Sequence, residues 1–172
     1  MKYFTPDLYR RLQPSSDPST VDQALMDWDQ AENDYSVSLT GFRNRLPAGA
    51  TSLLDHIRLH DAERIDGWQS TDRFVLLVRM ESPSQGLVEL TYSLEDDPQL
   101  IDDALPAEFA NDPPLWLHDE FSVENSLKPV FTHSILFADG RELRIRFVDL
   151  QVRQYATFFA APKGASLTTS AP

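Results

Sequence analysis

Two of the four histidines in this chain stand in the same tripeptide, Leu59-His60-Asp61 and Leu117-His118-Asp119. An imidazole beside a carboxylate can bind a divalent metal, pass a proton or form an ion pair. The repeat makes His60, Asp61, His118 and Asp119 a candidate paired site, usable only if the fold joins the two corners. His56 lies four residues before His60. A helix running through both would set their imidazoles on one face, with Asp61 supplying an oxygen, and His56, His60 and Asp61 would then be a ligand set for a divalent ion. The metalloprotease helix signature requires Glu directly after its first His, whereas Ile57-Arg58-Leu59 separates this pair. His133 shares an alternating segment with Phe131, Ile135 and Phe137. That setting predicts a core histidine satisfied by hydrogen bonds, or a base lining a pocket if a second polar group stands near it.

Other chemistry is poorly represented. The chain has no cysteine, no G-x-S-x-G elbow and no glycine-rich phosphate cradle. The absence of cysteine removes disulfides and thiolate metal sites and favours a reducing compartment. No acidic stretch follows the calcium-loop pattern.

The elements that must position these residues fall into two blocks. Thr5-Pro6 predicts an N-cap followed by proline at the first helical position, opening a short helix to Leu12. Asp17-Pro18 repeats that signal. Val21, Leu25, Trp28, Glu32, Tyr35, Leu39, Phe42 and Leu46 then recur in steps of four and three, the stripe of one long helix closed by Pro47. Glu32, the one carboxylate on the stripe, is expected at its edge, reaching solvent. Ala48-Gly49-Ala50 reads as a flexible joint ahead of a third helix over Leu53–Leu59. Beyond Asp61 the period becomes two. Strands are expected over Ala62–Trp68, Arg73–Glu81, Leu87–Leu94, Leu115–Val123, Val130–Phe137 and Arg141–Val148, with a further one over Leu150–Tyr155. Helices followed by strands predict an α+β fold, with N-terminal helices (residues 5–59) packed on a mainly antiparallel meander (residues 62–155) in a single domain over residues 1–161. Residues 162–172, small and polar between prolines, are expected to form a disordered tail.

The hairpin around Ala138-Asp139-Gly140 has a predictable register. A two-residue turn would mix apolar and charged residues on both faces. A three-residue loop with Gly140 left-handed pairs Ile135 with Leu143, His133 with Ile145 and Phe131 with Phe147, and sends Glu142, Arg144 and Arg146 to the opposite face.

The chain has 172 residues and a net charge of −12. That charge repels phosphate backbones and attracts basic partners. Residues 95–112 carry seven carboxylates (Glu95, Asp96, Asp97, Asp102, Asp103, Glu108 and Asp112) and neither lysine nor arginine. They are the expected surface for a basic protein partner. No apolar run approaches the ~20 residues of a membrane span, so a cytoplasmic protein is expected, monomeric or paired through the helical stripe.

The opening Met1-Lys2-Tyr3-Phe4-Thr5-Pro6-Asp7-Leu8-Tyr9 resembles that of a bacterial family of unknown function whose members begin MKYFT. Leu59-His60-Asp61-Ala62-Glu63 ahead of a β-meander is similar to the HDA corner of that family and of some immunity proteins of polymorphic toxin systems. These segments cover about a tenth of the chain. The resemblance implies a small cytoplasmic bacterial protein and assigns no catalytic residue. Two functions follow as expectations: a non-enzymatic, immunity-like module that binds a basic partner without a cofactor, or a metal-dependent hydrolase built on the His/Asp corners.

Overall fold

The computed structural model describes residues 1–13, 16–80, 86–101, 113–124 and 128–156. Its elements are α1 (Pro6–Arg11), α2 (Pro18–Phe42), a 3-10 turn (Arg43–Arg45), α3 (Ala48–His56) and seven strands. These are β1 (Glu63–Ser70), β2 (Arg73–Met80), β3 (Gly86–Leu94), β4 (Gln99–Ile101), β5 (Trp116–Glu124), β6 (Val130–Phe137) and β7 (Glu142–Ala156). The architecture is the expected α+β arrangement, helices on an antiparallel sheet. The expected tail, residues 162–172, lies outside the described residues.

Both predicted N-caps are in place. Thr5 accepts from the Leu8 amide at 3.2 Å and Asp17 from the Thr20 amide at 3.0 Å. The expected run from Val21 to Leu46 is interrupted: α2 ends at Phe42 and the chain tightens into the 3-10 turn. Pro47 drives Leu46 into extended backbone, which shortens what can stay helical before it. The buried face of α2 runs through Ala24 and Phe42, so Leu25 falls on its outer flank and is 52% exposed. Glu32 is exposed as expected and accepts from the Trp28 indole at 2.9 Å. Tyr35 points the other way, and its hydroxyl accepts from the Phe121 amide on β5 at 2.8 Å. The long helix thus covers part of an edge strand whose N–H groups would otherwise lack partners.

Ala48-Gly49-Ala50 is no joint. It forms the first turn of α3, with Pro47 at the cap position, and the helix stops at His56 rather than Leu59. Ile57 is extended and Asp61 adopts a positive φ of 65°.

Strand order is β1-β2-β3-β7-β6-β5, two three-stranded meanders joined by the β3–β7 pair, while β4 lengthens the β3 side of β7. The hairpin register follows expectation: Phe131 faces Phe147, His133 faces Ile145 and Ile135 faces Leu143. Gly140 has φ 86°. All six paired residues are buried. The two strands expected on either side of Asp149 are one strand. Val148 is an extra residue in the β3 ladder, where Ser93 pairs with Asp149 and Leu94 with Phe147. Such a bulge breaks the alternation without ending the strand.

The sheet also meets itself. Asp61 N–H donates to the Trp116 carbonyl at 2.8 Å, Trp116 N–H to the Ala62 carbonyl at 2.8 Å, and Arg64 N–H to the Pro114 carbonyl at 3.0 Å. A bridge pairs Glu63 with Leu115. The two outermost strands, β1 and β5, are thereby sewn together at one end, and twist has curled the sheet partly shut. Leu76, Leu90, Trp116, Phe121, Phe131, Phe147 and the α3 residues Ala50 and Leu53 share the core.

Candidate functional site

A second bulge organises the polar interior. Trp116 pairs with Phe137 and His118 with Leu136, so Leu117 is an additional residue in β5. Without it, Trp116 and Asp119 would project to opposite faces. With it, both turn inward, and Asp119 Oδ1 accepts from the Trp116 indole at 2.9 Å. Asp119 Oδ2 lies 3.0 Å from His133 Nε2, and His133 Nδ1 lies 2.8 Å from the Tyr92 hydroxyl. One assignment satisfies every group: Tyr92 donates to Nδ1, Nε2–H donates to Asp119, and the indole donates to the same carboxylate. Phe121 stacks on the His133 ring, with centroids 4.1 Å apart and planes at 17°. His133 is the satisfied core histidine its setting predicts.

The electrostatics agree with this wiring. Burial works to raise Asp119, but the hydrogen bonds from His133 and from the Trp116 indole hold its carboxyl below the usual carboxylate range. Burial pushes the Tyr92 hydroxyl well up, and the Asp119 charge adds to this. Asp119 lines a recess of about 270 Å³ whose walls are Leu53, Leu54, Ile57 and Leu59, with Arg58 and His60 also lining it. The chain Tyr92–His133–Asp119 therefore ends at a surface depression.

The two Leu-His-Asp corners do meet. The His60 and His118 rings are 5.5 Å apart. Asp119 does not join them. His118 and Asp119 are strand neighbours and face opposite sides of β5, so Asp119 serves the interior while His118 packs outward against Trp28 and Phe4, at 4.5 and 5.6 Å. Asp61 pairs with His60 at 2.9 Å, both exposed. The second tripeptide lies within β5, inside the strand expected over Leu115–Val123. The helical ligand set of His56, His60 and Asp61 is not formed, because α3 ends at His56 and Ile57 is extended. Among the described residues, no three His, Cys, Asp or Glu side chains gather to hold a metal ion.

No protein-family model matches the chain, and no curated protein or solved structure matches it. The site is accordingly read from its own chemistry.

Burial, and secondarily the neighbouring His60, push His118 down to about 4 from 6.5. A histidine depressed in the folded state gives stability that is complete above its unfolded value and fades as pH falls. Folding should weaken between pH 6.5 and pH 4, by on the order of 1–2 kcal/mol from this group after allowance for its partial exposure. His118→Phe keeps the stack on Trp28 and Phe4 and should flatten that part of the profile. Denaturation across this window checks it: an unchanged slope in the variant refutes the assignment.

Of the acidic stretch, Glu95, Asp96 and Asp97 are described and exposed. Asp96 pairs with Arg146 and Asp97 accepts from Gln69. Asp102, Asp103, Glu108 and Asp112 lie outside the described residues. Helix α2 presents a second acidic surface on the face opposite its buried residues. Helix α2 contains five carboxylates and neither lysine nor arginine. Among the described residues only Asp27 of these five forms an ion pair, with Arg11. Asp22 and Asp29 share the solvent side with Leu25, Met26 and Val37, which are 52%, 66% and 76% exposed. Trp116 and Tyr92 were missed as site residues. No local pattern reveals them, since a bulge and the β3–β7 pairing bring them to His133.

Proposed function

We propose that the protein is a non-enzymatic interaction module whose acidic surface binds a basic partner, in the manner of an immunity protein. The observation that carries this reading is the outer face of α2, where carboxylates with no cation partner among the described residues stand beside exposed apolar side chains. Carboxylates steer a basic surface and fix its register, and apolar groups between them supply burial once contact is made. The complementary partner surface carries Lys or Arg around a few apolar side chains. Encounter is salt-sensitive because the charges are exposed.

Pull-down at low and high salt with the wild type and an Asp22→Lys/Asp29→Lys variant tests the proposal. Basic proteins retained at low salt should be released at high salt. They should bind the variant at least tenfold more weakly, a factor that corresponds to about 1.4 kcal/mol. No retention at either salt, or equal retention by the variant, overturns it.

A metal-dependent hydrolase is the second reading, and the approach of His60 to His118 is the observation in its favour. It needs a third ligand from groups that are otherwise engaged, Asp61 on His60 and Asp119 on His133 and Trp116. Stoichiometric zinc, manganese or iron in the purified protein, lost in His60→Ala/His118→Ala, would establish it over the first.

A further inference from the structure

Inside the curl of the sheet lies a cavity of about 500 Å³, between β1 and β2 on one side and β4 with the start of β7 on the other. Such a volume is in the range of small-molecule sites, ~300–1,000 Å³, and mouths of barrel-like sheets are a common place for them. Phe74, Leu76, Leu100 and Leu143 give it apolar walls, and it opens past the exposed residues Asp66 and Gln69. Arg64 projects from β1 at its border. The guanidinium lies over the Phe137 ring, 5.2 Å from its centroid. Among the described residues it has no carboxylate within ion-pair distance, although every other arginine in the β-strands has one — apart from Arg73, at the exposed start of β2.

A half-buried cation is ordinarily paired. Here the neighbourhood works against the charge. Burial first, and repulsion from Arg141 second, lower Arg64 from its ordinary value. Arg141 itself is clamped by Asp139 through Nε at 2.8 Å. Asp139 and Asp66 act in the opposite direction without cancelling burial and repulsion together. The guanidinium fork is a planar, bidentate receptor for an oxyanion, and it stands at the border of an open cavity of mixed polar and apolar lining.

We propose that this cavity binds a small organic anion, a carboxylate or sulfonate on an apolar body, with the anionic group on Arg64 and the body against Phe74 and Leu100. Asp66 lines the same cavity and opposes the anion, so the two charges should act on affinity with opposite signs. This site is independent of the acidic face of α2.

The test is titration of the full chain with the anionic dye anilinonaphthalene sulfonate, followed by fluorescence, beside the uncharged phenylnaphthylamine. The wild type should bind the sulfonate saturably at one site. Arg64→Gln should weaken it about tenfold or more, and Asp66→Asn should tighten it several-fold, with the uncharged dye unaffected by either. Leu100→Trp, which fills the chamber and touches neither charge, should block the sulfonate. Circular dichroism of each variant confirms the fold. Non-saturable binding, equal affinity in a folded Arg64→Gln, or an Asp66→Asn effect of the opposite sign overturns the proposal.

Discussion

Replacing His133 with alanine should destabilise the fold by about 4 kcal/mol, more than any other single polar truncation in the interior. Three losses add. The ring is fully buried and stacked on Phe121, so its removal leaves a cavity of aromatic size. The Tyr92 hydroxyl, fully buried, loses its partner; an orphaned buried group costs about 1–3 kcal/mol. Asp119 loses one of its two strong donors, and burial, which already works to raise its pKa, is then opposed by less. In the wild type the depressed Asp119 contributes stability that is whole above its unfolded pKa of 3.8 and lost as pH falls through the lower folded value. In His133→Ala that contribution should shrink, bringing acid unfolding to higher pH. Urea denaturation of His133→Ala, Tyr92→Phe and the His133→Leu/Tyr92→Phe double variant separates the contributions. Tyr92→Phe alone should cost about 1–2 kcal/mol, and the double variant should recover part of the His133→Ala loss because both ends of the bond become apolar. A His133→Ala loss under about 1 kcal/mol would show that the network is not what holds β3, β5 and β6 in place.

The parts of the fold that were legible share one property: the signal is local and redundant. Thr5-Pro6 and Asp17-Pro18 announce helices through capping chemistry confined to four residues. The β6–β7 register was readable because a slip by one residue would have exposed Phe131, Ile135, Leu143 and Phe147 together. What escaped depends on partners distant in the chain. Bulges at Leu117 and Val148 leave the composition of their strands unchanged, yet the first swings Asp119 into the core and the second keeps β7 whole. Strand β4 is three residues long and exists only because β7 offers it an edge. The contact of His60 with His118 was a conditional statement in sequence, since it rests on the seam between Ala62 and Trp116 that closes the sheet. The short helix was displaced toward its C-terminus because glycine and alanine after proline read as a hinge, although Pro47 serves as the cap position and Gly49 is there for a tertiary reason.

That reason yields the second large expectation. Gly49→Ala should destabilise the protein by about 3 kcal/mol or more, the upper end of what overpacking usually costs. Helix propensity alone predicts the opposite, since alanine is favoured over glycine inside a helix by up to ~1 kcal/mol. Packing decides the sign. A Cβ on Gly49 would come within 1.9 Å of the Leu150 carbonyl oxygen and 2.6 Å of its carbon. Both atoms belong to the backbone of β7, anchored by pairing with β3, so no side chain can swing aside. The helix must move instead, on the order of an ångström. Ala50 and Leu53 would be lifted from the core, and the recess that Leu53 and Leu54 form over Asp119 would change shape. Gly41 supplies the contrast, because nothing lies within 4 Å of its added Cβ. Gly41→Ala, exposed near the end of α2, should stabilise by a few tenths to 1 kcal/mol through the unfolded state and helix propensity. Denaturation midpoints for the two variants, measured side by side, should therefore shift in opposite directions. If Gly49→Ala is neutral or stabilising, α3 does not lie against the β7 backbone, and the recess over Asp119 has other walls.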